Sequence, residues 1–301
     1  MQQELICYKK FPIWNYDSIP QGFKKQHNTQ LGTWAKLTIL KGELHFSMLQ
    51  ESGEVQSEHI FSVENQPPFI EPQVWHKIVT ASDDIECQLS FHCLPQDYFV
   101  KKYKLSPTHS EILEALQQLN AGKALDVGCG TGRNALYLSQ NGFQVDAWDV
   151  NPTSIQKLNE IIAAEQISSI QTAVRDFNQD ATITGEYDFI NCIVVMMFLA
   201  PETIPPLIQH MQQATKPQGF NLIVCAMNTE DYPVQRDFPF SFKAGELSAY
   251  YADWDIVKYN ENVGELHRTD ADGNRIKQCF ATLLARKKVE LQKKFETDDL
   301  F

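Results

Sequence analysis

Three closely spaced glycines follow a predicted strand and can bring the backbone close to a ligand. The strand is Lys123–Val127, the glycines are Gly128, Gly130 and Gly132, and a predicted helix begins near Arg133. Glycine has no Cβ atom, so the chain can turn sharply here and leave room for a bound molecule. The amino end of the helix offers N–H donors and a positive dipole, which suit a carboxylate or a phosphate.

Carboxylates follow the next two predicted strands. Asp149 ends the second strand, where a carboxylate can accept both hydroxyls of a ribose. Asp176 follows the third strand, where it can bond the amino group of an adenine while Phe177 packs on the ring. In an open parallel sheet, ligands bind beyond the carboxyl ends of the strands, so these acids and the glycine loop are expected at one site.

The spacing of the glycines argues against a nicotinamide dinucleotide. Such sites have the pattern Gly-x-Gly-x-x-Gly, whereas here Gly132 falls one residue early and Arg133 stands at the position reserved for close helix packing. The carboxylate of Asp126, at the strand end, also suits the ammonium group of a methionine better than a pyrophosphate. The pattern therefore predicts a site for S-adenosyl-L-methionine, with S-adenosyl-L-homocysteine as its product.

Strands and helices alternate around this loop. After a helix predicted to begin at Pro107 with Ser106 as its cap, apolar strands are predicted at Lys123–Val127, Gln144–Asp149, Ile170–Val174, Tyr187–Val194 and Asn221–Ala226. Helices are predicted from Arg133, Thr153 and Ile204, and a final hairpin over roughly 262–286 turns at Asp272-Gly273. This order predicts an α/β domain of the Rossmann-like, doubly wound class with a C-terminal β-hairpin.

The first third of the chain has a different pattern. Apolar and polar residues alternate in Trp34–Leu40, Glu43–Leu49 and Glu86–His92, with glycine and proline between them. Short strands of this kind predict a small all-β sandwich or barrel. We therefore predict a β domain over 1–96, a linker over 97–107, the α/β domain over 108–288 and a charged tail over 289–301.

Composition limits the class of partner. The 38 acidic and 26 basic side chains give a formal net charge of −12, which repels nucleic acids and anionic membranes. No export signal or membrane-spanning run is visible, and the seven cysteines show no pairing pattern, so we expect reduced core thiols in a cytoplasmic protein. A small-molecule substrate fits these limits, and a homo-oligomer is compatible with them.

Several segments resemble one family of methyltransferases. The glycine loop and the two acids resemble class I S-adenosylmethionine-dependent enzymes. Closer similarity to the tellurite-resistance methyltransferases of the TehB type lies in the segments 102–111, 132–134, 146–149, 194–199, 238–240 and 264–270. The resemblance covers residues 98–288 nearly continuously, and residues 1–96 resemble the additional amino-terminal domain of the family's longer members. It implies methylation of a small acceptor, with tellurite, selenite or their reduced forms as the expected substrates.

The resemblance also implies a set of cofactor contacts. Together with the loop and strand-end residues they are Tyr103, Asp126, Gly128, Gly130, Gly132, Arg133, Asp149, Asp176, Phe177 and Val194. Val194 is expected at the adenosyl face. The place of Tyr103 depends on the resemblance alone, and a packing role between the domains is the alternative.

Cationic side chains near the final hairpin turn are the candidate catalytic residues. His267, Arg268 and Arg275 flank the turn, and an antiparallel pair of strands can bring such side chains to one edge. Arginine offers a fork of donors to an oxyanion, and histidine can orient a nucleophile or accept its proton. The alternative is a solvated hairpin whose charges pair with Glu265, Asp270 and Asp272.

Histidines in the first domain raise the question of a metal. His45, His59, His76 and His92, with Glu71, include part of a cupin-like pattern, but its His-x-His half is missing. We therefore expect no metal site, and expect His76 to be held by packing against Trp75. Two other functions stay open: methylation of a small thiol or other metabolite, and a sensor that binds S-adenosylmethionine as a ligand.

Overall fold

The first unit of the chain is built from alternating strands. A computed structural model describes residues 4–234, 238–269 and 272–289, with the side chains of 266–268 outside that description. The chain divides between Pro107 and Thr108. The elements of the first unit are β1 (Ile6–Asn15), β2 (Trp34–Lys41), β3 (Leu44–Leu49), β4 (Val55–Phe61), β5 (His76–Ala81), β6 (Glu86–Cys93) and α1 (Tyr98–Tyr103). Helix α1 lies within the interval predicted as a linker.

Two antiparallel three-stranded sheets enclose the core of this unit. Their strand orders are β1-β6-β2 and β4-β3-β5. In β2 the residues Ala35, Leu37 and Ile39 are buried while their neighbours are more exposed, as the period-2 alternation predicts. These residues pack with Phe46 of β3 and Ile78 of β5 from the other sheet. The predicted small all-β domain is confirmed.

The second unit alternates strands with helices. Its elements are α2 (Ser110–Ala115), β7 (Lys123–Val127), α3 (Arg133–Gln140), β8 (Gln144–Asp149), α4 (Pro152–Ala164), β9 (Ile170–Val174), β10 (Tyr187–Ile193), α5 (Ile204–Ala214), β11 (Thr215–Ala226), α6 (Glu246–Tyr250), β12 (Asp255–Thr269) and β13 (Arg275–Arg286). The three strands that precede the predicted cofactor residues have the bounds expected from the sequence.

A seven-stranded sheet orders these elements as β12-β13-β11-β10-β7-β8-β9. Strands β7 to β11 are parallel, whereas β13 runs antiparallel to β11 and pairs with β12 as a hairpin. The chain passes from β7 outward to β9 and then returns to β10 on the other side of β7. This reversal of strand order is where open α/β sheets bind ligands, and it lies directly beyond the glycine loop.

Helix α2 begins later than its sequence suggests. Ser106 and Pro107 were expected to start it, but the helix begins at Ser110 and His109 is its cap. The Nδ1 atom of His109 accepts a hydrogen bond from Glu111 N at 3.3 Å, and His109 N donates to Asn134 Oδ1 at 3.1 Å. A contact with α3, distant in sequence, thus fixes the start of the helix.

The described part of the chain contains no helix long and apolar enough to cross a membrane. Its cysteines are free thiols, and all but Cys7 are buried, as expected for core residues.

Candidate functional site

The loop after β7 is held against the neighbouring strand β8. Gly128 N and Cys129 N both donate to the carbonyl oxygen of Trp148, at 2.8 and 3.0 Å. Gly128 has a φ of +71°, and a Cβ atom there would lie 2.3 Å from Cγ2 of Val195. Only glycine combines this left-handed backbone with so close an approach. The loop is therefore packed tightly against Val195 at Gly128, whereas a Cβ atom at Gly130 would meet no atom within 4 Å.

Asp149 fastens the loop to the end of β8. Its Oδ2 atom accepts a hydrogen bond from Gly130 N at 2.8 Å, and its Oδ1 atom accepts one from Asn151 N at 2.8 Å. Both carboxylate oxygens are thus oriented by backbone donors. Since each oxygen has two lone pairs, each keeps acceptor capacity for a hydroxyl group of a bound ligand.

A smaller cavity, about 360 Å³, lies beyond β7, β8 and β9. The predicted residues Gly128, Asp149, Asp176, Phe177 and Val194 all line it. Asp176 is fixed by a 2.9 Å hydrogen bond from Asn178 N to its Oδ1 atom, and Phe177 is buried beside Trp148. The cavity thus combines two carboxylates with an aromatic ring, a set suited to ribose hydroxyls and an adenine.

A larger cavity, about 530 Å³, shares Val194 with the smaller one. Arg133, at the first position of α3, and His109 line it together with residues of β12 and β13. Val194 adopts a φ of +60°, an outlier for a β-branched residue that costs on the order of 1–3 kcal/mol. Its backbone is held by a 2.7 Å hydrogen bond from Val194 N to Val224 O.

Asp126 lies beneath the loop rather than on a cavity wall. It is 1% exposed, and its Oδ1 atom accepts a 2.5 Å hydrogen bond from Asn191 Nδ2, while Oδ2 has no partner among the described residues. Burial raises the pKa of this carboxyl to about 7, although the hydrogen bond from Asn191 and the charge of Arg133 oppose the shift. Burial also lowers the pKa of Arg133.

The amino-acid sequence matches the models of one known family over nearly all of its length. The family model "Tellurite resistance protein TehB" matches residues 91–284, and "TehB-like domain" matches residues 9–89.

The chain belongs to the TehB family.

The TehB proteins of Haemophilus influenzae match this chain over both units. The "Probable S-adenosyl-L-methionine-dependent methyltransferase TehB" of Haemophilus influenzae (strain 10810) is 51% identical over 96% of this chain and all of that protein. The crystal structure of TehB from Haemophilus influenzae has a TM-score of 0.91, with 51% identity over 96% of this chain and all of the other. A protein of Eikenella corrodens named "Hemagglutinin 1" is 44% identical over 79% of each chain. The second unit therefore has the Rossmann-like class I methyltransferase fold.

The remaining residues predicted from the family resemblance are not found among the described residues on the wall of either cavity. Tyr103 ends α1 in the first unit, where its ring stacks with Phe99, so its role at the cofactor stays a prediction. His267 and Arg268 lie in β12, but their side chains fall outside the described residues. Arg275 begins β13 opposite Thr269; it is exposed and does not line either cavity.

The first-domain histidines do not gather as a metal site would. Among the described residues, no three His, Cys, Asp or Glu side chains converge to hold an ion. The expected packing of His76 on Trp75 is wrong. His76 stacks on Phe46, with ring centroids 5.3 Å apart, and lies 4.2 Å from the His27 ring. Successive residues of an extended chain point to opposite faces, so adjacent rings do not stack.

Several residues of the site escaped sequence reasoning. Arg175 and Asn178 line the smaller cavity, and Lys258, Asn260 and Thr282 line the larger one. Arg175 and Asn178 lie on either side of Asp176-Phe177 in the sequence. The position just after a strand, which identified Asp176, could therefore have identified these two residues as well. Nothing local marks the residues on β12 and β13, because their grouping depends on how two strands align.

Proposed function

We propose that this chain is an S-adenosylmethionine-dependent methyltransferase that methylates tellurite, selenite or their reduced forms and so gives tellurite resistance. It would act in the cytoplasm on a small-molecule acceptor. The single observation that carries the proposal is the pair of cavities that share Val194. One has the carboxylates and ring that an adenosyl group needs, and the other has room for an acceptor.

The residues fit S-adenosylmethionine. Asp149 and Asp176 would hold the ribose and the adenine, with Phe177 against the ring. A Cβ atom at Gly130 would meet nothing within 4 Å, so the loop leaves open space above it. Arg133 would bind the methionine carboxylate, and Asp126, with its unpartnered oxygen, favours a positive charge nearby.

In methyl transfer the protein must align the acceptor with the methyl group and exclude water, and it does not need to supply a nucleophile of its own. When bound, S-adenosylmethionine supplies a methyl group on a positively charged sulfur; the carbon–sulfur bond breaks with its electrons left on sulfur, as the acceptor's lone pair bonds the carbon. His267 and Arg268 would bind and orient an oxyanion acceptor, and Arg275, which lines neither cavity, would act on it through its charge alone. Val194, held in its strained conformation, would fix the wall between the donor and acceptor sides.

Products formed from isotope-labelled methyl donor test the proposal. Purified protein is incubated with tellurite or selenite, with and without glutathione, and volatile products are identified by mass spectrometry. Labelled methyl-tellurium or methyl-selenium species are expected, and a requirement for glutathione would identify a reduced form as the acceptor. Labelled product only from a thiol or metabolite panel would support the alternative enzyme. Cofactor binding with no turnover on any acceptor would support a sensor.

A further inference from the structure

One wall of the larger cavity carries a row of polar side chains on the hairpin sheet. Asn260 and Asn262 lie two residues apart on β12, so they share a face of the strand. Thr282 of β13 is the direct cross-strand partner of Asn260, which places it on the same face. Register thus brings two amides and one hydroxyl to the cavity.

These three side chains have no hydrogen-bond partner among the described residues, although Thr282 is only 5% exposed. The other buried polar side chains of the same sheet each have at least one hydrogen bond, although Gln278 Oε1 has no partner. Asn221 Nδ2 donates to Thr215 Oγ1 at 2.7 Å, and Gln278 Nε2 donates to Met227 O at 2.6 Å. A hydroxyl group that faces a cavity without a protein partner is available to a ligand or to water there. The contrast points to a ligand at this wall.

One of the cations around the wall is already paired with acids. Lys258, on the same strand, donates from Nζ to Glu111 at 2.7 Å and to Glu114 at 2.6 Å, which neutralises its charge. Of the other described residues that line the cavity, Arg133 and Glu265 carry opposite charges. With the ammonium, carboxylate and sulfonium of S-adenosylmethionine ionised, that molecule adds one net positive charge.

We infer that Asn260, Asn262 and Thr282 bind the methyl acceptor through neutral hydrogen bonds, and that this acceptor is a small oxygen-bearing molecule. The inference rests on the proposed methyl-transfer function. Amides and a hydroxyl both donate and accept, so they complement a molecule that carries an O–H group beside acceptor oxygens. A singly protonated oxyanion has this pattern, and its charge balances that of the methyl donor.

Steady-state kinetics on the full chain test the inference, with tellurite and selenite as acceptors and saturating S-adenosylmethionine. Thr282→Val keeps the side-chain shape and removes the hydroxyl, so the acceptor KM should rise roughly fivefold to tenfold, the usual effect of one hydrogen bond. Asn260→Asp adds a negative charge at constant size and should raise the acceptor KM more than Thr282→Val does. Affinity for S-adenosylmethionine, from calorimetry, should stay at the wild-type value in both variants.

Two further variants separate binding from folding. Thr282→Ser restores the hydroxyl and should recover a near wild-type KM. Thr172→Val makes the same change in β9, at the far edge of the same sheet and away from the cavity, and should leave the KM unchanged. If the wild type is active and the acceptor KM is unchanged in both Thr282→Val and Asn260→Asp, the inference is wrong but the proposed function is not affected. No product and no acceptor binding by the wild type would overturn the proposed function and the inference together.

Discussion

The Oδ2 atom of Asp149 accepts a 2.8 Å hydrogen bond from the backbone N–H of Gly130. This bond joins the end of β8 to the middle of the glycine loop, so the carboxylate that would bind a ribose also sets the shape of the loop. The two features that the sequence presents 19 residues apart are one structural unit. Ligand binding and loop geometry are therefore coupled at this pair.

Replacement of Asp149 by alanine should weaken binding of S-adenosylmethionine about tenfold to a hundredfold, since charge-assisted hydrogen bonds are lost. Asp149→Asn keeps an acceptor oxygen and should lose less. Isothermal calorimetry measures both affinities. Asp253→Ala, an exposed acid before β12, is the matched control and should bind normally. Equal affinities for wild type and Asp149→Ala would contradict the assignment.

Because there is open space beside Gly130, a side chain at this position should weaken ligand binding without disturbing the packing of the protein. Gly130 has a φ of +55° and Gly245 a φ of +73°, and a Cβ atom at either would meet nothing within 4 Å. Alanine at each position should therefore cost a similar, small amount of stability, about 1 kcal/mol from the left-handed backbone. Only Gly130→Ala should also weaken binding of S-adenosylmethionine. Thermal shifts with and without ligand measure both effects, and equal ligand shifts in the two variants would argue against a cofactor above the loop.

The hairpin cations should affect turnover rather than cofactor binding. His267→Ala, Arg268→Ala and Arg275→Ala are each expected to lower kcat by about tenfold or more, as loss of an acid–base or electrostatic group does. Affinity for S-adenosylmethionine should stay near the wild-type value. Lys277→Ala removes an exposed cation from the same strand, opposite Glu265, and serves as the control. Unchanged turnover in all three variants would remove the hairpin cations from the mechanism.

Asp126 should make the stability of the second unit fall as pH rises. Its pKa is raised from 3.8 to about 7 in the folded chain, so the folded state holds this proton more tightly than the unfolded state between those values. Asp126→Asn removes the effect. The free energy of unfolding of the variant relative to the wild type should therefore increase between pH 4 and 7, by up to roughly 1.4 kcal/mol per pH unit. Urea titrations at several pH values measure the difference, and a pH-independent difference would show that Asp126 ionises normally.

His76 should have the opposite effect in the first unit. Burial, aided by the nearby His27, lowers its pKa from 6.5 to about 4, so the unfolded state binds the proton more tightly between those values. The contribution of His76 to stability should therefore rise as pH increases from 4 to 6.5. His76→Phe should flatten this dependence in urea titrations, whereas His45→Phe, at an exposed position of β3, should retain it. If the stability of His76→Phe depends on pH as strongly as that of the wild type, groups other than His76 cause the dependence.

The order of elements and the cofactor side of the site could be predicted from the sequence. Strand β7, the glycines after it and the acids that end β8 and follow β9 all carry local signals: an apolar run, residues without a Cβ atom, and carboxylates at strand ends. In a parallel sheet these ends must meet at one edge, so the sequence positions alone imply proximity. Five predicted residues accordingly line one cavity.

Only the tertiary structure decided the acceptor wall, the start of α2 and the partner of His76. Thr282 meets Asn260 because of the register of two antiparallel strands, and no local pattern near either residue specifies that register. His109 caps α2 because its backbone N–H reaches Asn134 on α3. His76 stacks on Phe46 because β3 and β5 pair in the folded sheet. Each of these contacts joins residues from different elements, so it exists only once the chain has folded.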